Sequence, residues 1–166
     1  ALLGLAAGDA LGTTLEFKPP GSFAPLTDLV GGGPFNLKPG GWTDDTSMAL
    51  CLAESVVERG FDPVHQLDLY CRWEATGYLS VKGYCFDIGG TTMAALTSYR
   101  QNPRPFAGST DDRAAGNGSL MRLAPVPLRW AFNPPRAVEL AGDSSRTTHG
   151  AVACVDACRY FAALIV

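Results

Sequence analysis

No apolar run in the chain approaches the ~18 residues that a membrane-spanning helix requires, and the N-terminus lacks the charged flank of a signal peptide. The sequence therefore reads as a soluble, cytoplasmic protein. The 13 Lys and Arg residues form no basic run and the net charge is −3, which argues against a nucleic-acid surface. Any phosphate in a ligand is then left to backbone amides and a few side chains. No CxxC pair exists among the five cysteines, Cys51, Cys71, Cys85, Cys154 and Cys158. An odd count leaves at least one unpaired, which favours a reducing compartment. Cys154 and Cys158 are spaced to share a helix face, where buried thiols are more often core than metal ligands. Alternating polar and apolar runs rich in β-branched residues are nearly absent, which excludes a sheet-based fold.

A chain of 166 residues with 46% hydrophobic content can bury a real core and is most simply one domain, 1–166. Helical apolar spacing runs into both ends without a cap or a stop. The expectation is a domain that is incomplete, on the C-terminal side above all. Gly4, Gly8 and Gly12 recur every four residues, predicting close backbone packing of the first helix. Gly31-Gly32-Gly33 reads as a mobile loop. No Gly-x4-Gly-Lys-Ser/Thr phosphate loop is present.

From Thr46, the positions Met48, Cys51, Leu52, Ser55 and Val56 follow helical spacing to a stop at Gly60. Asp62-Pro63 starts a helix running toward Gly77, and Asn133-Pro134-Pro135 starts another reaching Ala141. Residues 91–100 read helical, as does a last amphipathic face through Ala151, Val155, Cys158, Ala162 and Ile165. The predicted fold is all-α, a compact multi-helix orthogonal bundle with long functional loops that carry nearly every unusual polar cluster.

The most informative of these clusters is Gly41-Trp42-Thr43-Asp44-Asp45-Thr46-Ser47-Met48. Two carboxylates and two hydroxyls stand where a helix begins. Thr and Asp are favoured N-cap residues and acids favour the positive end of a helix, so capping accounts for one of them. A second, adjacent carboxylate adds repulsion that a cap does not need, whereas Mg²⁺ and Mn²⁺ seek such oxygen clusters. Both readings stay open on this stretch alone.

Four more clusters place small residues beside polar ones: Gly8-Asp9-Ala10-Leu11-Gly12 with Glu16 downstream, Phe86-Asp87-Ile88-Gly89-Gly90-Thr91-Thr92, Gly116-Asn117-Gly118-Ser119-Leu120-Met121-Arg122, and Ser144-Ser145-Arg146-Thr147-Thr148-His149. Singly, each has a structural explanation: Asp9 can pair within a bundle, Asp87 can form an Asx-turn, Gly116-Asn117-Gly118 can be a plain turn, and His149 can be a satisfied core imidazole. Together with the Asp44-Asp45 stretch, their order and spacing resemble the ADP-ribosylglycohydrolase family, which includes the dinitrogenase-reductase-activating glycohydrolases and the eukaryotic ADP-ribosyl-acceptor hydrolases. The resemblance spans the whole chain.

That resemblance implies an all-helical hydrolase with two divalent cations, Mg²⁺ or Mn²⁺, that cleaves the bond between ADP-ribose and an acceptor. The best-fitting acceptor is arginine on an ADP-ribosylated protein, although the sequence selects no linkage. It further implies Thr43, Asp44 and Asp45 as metal ligands and Glu16 and Asp87 as the acid/base candidates. Gly116, Asn117, Gly118, Ser119, Met121 and His149 would lie along the ADP-ribose. The chemistry agrees: carboxylates stabilise a positively charged sugar, and a Gly-Asn-Gly stretch tolerates positive φ and leaves no Cβ in a ligand's way. Family members are roughly twice this length, and their distal half carries an Asp-x-Asp-Thr element absent here. The remaining metal ligands are expected from sequence outside this chain, and these 166 residues alone are expected to be weakly active or inactive. Two other activities compete: a non-catalytic ADP-ribose-binding module, and a metal-dependent phosphohydrolase.

Overall fold

Asp62 and Asn133 begin their helices as the Asx-Pro signatures predict. Asp62 Oδ1 accepts from the backbone N–H groups of Val64 and His65 at 3.0 and 3.1 Å, and Asn133 Oδ1 accepts from Arg136 N–H at 3.3 Å. The computed structural model describes residues 1–166. It contains seven helices: α1 Leu2–Gly12, α2 Asp44–Arg59, α3 Pro63–Thr76, α4 Gly90–Gln101, α5 Pro125–Arg129, α6 Pro134–Arg146 and α7 Val152–Ile165. Two single-turn 3-10 helices, Thr13–Leu15 and Asp112–Ala114, complete the elements. There is no sheet, only isolated bridges between Gly32 and Leu37 and between Ser109 and His149. The fold is all-α.

α2 packs on α3 and α6 on α7, with α5 wedged against α2 and α6. The core between them is built from Met48, Leu52, Leu67, Tyr70, Trp73, Leu96, Leu123, Val126, Leu140 and Cys158. All five cysteines are free thiols, and Cys51, Cys154 and Cys158 are buried, in keeping with a packing role.

Three expectations change. The α1 glycines are not a close-packing stripe, since no neighbouring heavy atom stands within 4 Å of a Cβ built at Gly4, Gly8 or Gly12. The Gly31–Gly33 triplet is a packed turn in place of the expected mobile loop. All three residues have positive φ, Thr14 Oγ1 donates to the Gly31 carbonyl at 3.0 Å, and a Cβ on Gly33 would stand 2.5 Å from the Thr13 carbonyl oxygen. Finally, α6 continues to Arg146, five residues beyond Ala141, because Gly142, Ser144 and Ser145 are buried within it.

Candidate active site

The acidic pair sits in the first turn of α2, and the residue that caps this turn comes from elsewhere. Thr43 makes no side-chain cap bond of its own. Asp9, on α1, accepts instead from Thr43 N–H at 3.0 Å, Thr43 Oγ1 at 2.9 Å, Thr46 N–H at 3.1 Å and Thr46 Oγ1 at 2.7 Å. A carboxylate reaching across from another helix thus satisfies the amides that a local cap normally takes. Capping therefore does not explain Asp44 and Asp45, and both line a cavity of about 630 Å³.

Five carboxylates from three segments meet at this cavity: Asp9 from α1, Glu16 just beyond it, Asp44 and Asp45 from α2, and Asp87 from the loop before α4. No Lys or Arg lines it. Burial, then Asp45 and Asp87, push Asp44 up to about 8. Burial, then Glu16 and Asp45, raise Asp87 to about 7. Burial, then Asp9, raises Asp45 to about 6, and Glu16 is raised mainly by burial. Without a cation, the group holds protons at neutral pH that isolated carboxyls would release. Asp87 stands in the left-handed region with φ of 60°, a conformation that Asp tolerates better than most residues.

An oxygen-only donor set of carboxylates and Thr43 suits a hard divalent ion. No three of these carboxylates stand close enough together to close a metal centre by themselves. The donors form an open acidic half-wall that fits such an ion without enclosing it.

Another part of the lining forms a neutral wall. It comprises Gly89, Gly90, Thr91 and Thr92 at the start of α4, together with Gly116, Asn117, Gly118, Met121 and His149. The start of α4 has no side-chain cap, so its first amides are free. Neither Gly116 nor Gly118 has positive φ; Gly118 serves close approach, as a Cβ on it would stand 2.8 Å from His149 Cε1 and 3.0 Å from Thr92 Oγ1.

Of the residues singled out from sequence, Glu16, Thr43, Asp44, Asp45, Asp87, Gly116, Asn117, Gly118, Met121 and His149 all line this one cavity. Ser119 does not. It is buried, and its hydroxyl meets Ser145 Oγ at 2.9 Å. Because Ser145 Oγ donates to the His149 carbonyl at 2.9 Å, Ser119 ties the 116–121 loop to α6 rather than lining the cavity. Sequence reasoning passed over Asp9 as a site residue, because its partners Thr43 and Thr46 lie 34 and 37 residues along the chain.

The sequence model of the ADP-ribosylglycohydrolase family matches residues 1–166. The chain belongs to the ADP-ribosylglycohydrolase family. It is 45% identical over 164 residues to the ADP-ribosylarginine hydrolase Tri1 of Pseudomonas putida (strain GB-1), covering 98% of this chain and 44% of that protein. It is 44% identical over 161 residues to the ADP-ribosylarginine hydrolase Tri1 of Serratia proteamaculans (strain 568), covering 96% of this chain and 44% of that protein. A solved structure titled "ADP-ribosylglycohydrolase-related protein complex" superposes with a TM-score of 0.84 at 46% identity, over 99% of this chain and 53% of that one. The chain spans about half the length of these ADP-ribosylglycohydrolase relatives.

Proposed function

We propose that the whole protein is a metal-dependent hydrolase that removes ADP-ribose from arginine on proteins, reversing mono-ADP-ribosylation. The observation that carries this reading is the convergence of five carboxylates, with no Lys or Arg, on one cavity of an ADP-ribosylglycohydrolase. Relatives named as ADP-ribosylarginine hydrolases support arginine as the acceptor.

Thr43, Asp44 and Asp45 would hold Mg²⁺ or Mn²⁺, with further ligands from residues outside these 166. When bound, such ions supply positive charge that orients ribose hydroxyls and activates water. Asp87, raised to about 7, can hold a proton for the departing guanidine nitrogen. The anomeric carbon gains the hydroxyl of water, and the leaving group gains the proton. Glu16, at the end of the Thr13–Leu15 turn with Thr13 Oγ1 donating to it at 3.4 Å, would stabilise positive charge on the ribose ring. The free amides at the start of α4 suit the diphosphate, and the 116–118 stretch would flank it.

Product analysis tests this reading. The full-length protein, given Mg²⁺ or Mn²⁺ and an arginine-ADP-ribosylated protein, is expected to release intact ADP-ribose. Release of AMP would instead indicate attack on the pyrophosphate, and ADP-ribose binding without release would indicate a non-catalytic module.

A further inference from the structure

Beneath the neutral wall lies a buried cation with no acidic partner. Arg122 is fully buried and takes part in none of the ion pairs. Its guanidinium lies 4.5 Å from the centre of the Tyr70 ring. Nη1 donates to the Gly118 carbonyl at 2.9 Å, and the two hydrogens of Nη2 go to Thr147 Oγ1 at 3.0 Å and Thr148 Oγ1 at 2.7 Å.

Counting hydrogens along this chain fixes a protonation state. Guanidinium nitrogen can only donate, so both threonine hydroxyls accept from Arg122 and must place their own hydrogens elsewhere. Thr147 donates to the Ser144 carbonyl at 2.7 Å. The other neighbour of Thr148 Oγ1 is His149 Nδ1 at 2.8 Å. If Nδ1 carried the ring proton, the hydroxyl hydrogen of Thr148, which is wholly buried, would have no acceptor, at a cost of about 1–3 kcal/mol. Nδ1 therefore accepts, and a neutral ring then carries its proton on Nε2. A doubly protonated ring is disfavoured as well, since burial and the Arg122 charge push His149 down to about 4. Nε2 lies against Gly116 and Gly118, within 3.5 and 3.2 Å of Cβ atoms built on them, where His149 lines the cavity.

We propose that Arg122 and Thr148 are positioning residues that lock His149 as a neutral Nε2–H donor, directed at an acceptor oxygen of the bound sugar nucleotide and withheld from general-base chemistry. The nature of the ligand rests on the function proposed above; the locked tautomer does not. Proton transfer in the cavity then falls to the carboxylates alone.

Nitrogen-15 NMR of the full-length protein tests the lock, with the His149 ring assigned by its loss in His149→Gln. Between pH 6 and 8, Nε2 is expected to be protonated and Nδ1 bare. Thr148→Val keeps shape and removes the relay, and is expected to let the Nδ1–H form appear and to weaken ADP-ribose binding about tenfold by calorimetry. Thr148→Ser restores both. A wild-type ring protonated at Nδ1, or a tautomer unchanged in Thr148→Val, would overturn the proposal; should Thr148→Val not fold, the wild-type spectrum still decides. The expected tautomer in a protein that takes up no ADP-ribose would support the lock while removing the proposed function.

Discussion

Replacing Asp44 by Asn should make the metal-free protein more stable, and only above acidic pH. Asp44 is 6% exposed, and its carboxyl is raised from an ordinary 3.8 to about 8, by burial first and by Asp45 and Asp87 next. A raised carboxyl holds its proton in the folded state between those values while the unfolded chain gives it up. Stability is therefore complete below about pH 4 and declines as pH rises through 8. At ~1.4 kcal/mol per pH unit, the ceiling of this loss is about 5–6 kcal/mol. Water entering the open cavity lowers the effect, and we expect about 2 kcal/mol at pH 8, a rise in Tm of roughly 4–8 °C for a domain of this size. The assay is thermal unfolding with EDTA at pH 4.5 and pH 8, wild type against Asp44→Asn, repeated with Mn²⁺. The gain should nearly vanish at the lower pH, and Mn²⁺ should stabilise the wild type far more than the variant. A variant no more stable than wild type at pH 8 would refute the reasoning, because it would mean that the carboxylate serves the helix rather than an absent cation.

Asp9→Ala removes the acceptor of four bonds to Thr43 and Thr46. It should cost about 2 kcal/mol and, by calorimetry, weaken Mn²⁺ binding by loosening the first turn of α2. Glu16→Gln should bind Mn²⁺ normally while turnover of the arginine conjugate falls about 100-fold; unchanged turnover would remove Glu16 from catalysis. Gly118→Ala drives a methyl to 2.8 Å from His149 Cε1, and ADP-ribose binding should weaken about tenfold, or ~1.4 kcal/mol, with unfolding by denaturant little changed.

The two Asx-Pro helix starts and the α2 and α3 periodicities were legible because caps and apolar faces are local signals. α5 was hidden by Pro125 and Pro127 within five residues, a composition that reads as loop until its burial against α2 and α6 is known. The extension of α6 was hidden by Gly142 and two serines, poor helix formers overruled by packing against α7, where Arg159 covers Gly142. In the site, the doublet of Asp44 and Asp45 announced itself by composition. The part played by Asp9 depends on contacts 34 and 37 residues away, and no spacing rule reaches that far. Ser119 shares its loop with cavity-lining residues, yet it points inward because Ser145 is there to receive it.

Since the carboxylate that organises the start of α2 belongs to α1, the stretch around Trp42 is not a portable cassette. Grafted onto another helix, it would carry the acids but not the brace that holds them. An engineer transplanting this chemistry must move both helices as one unit, with Asp9 as the rivet.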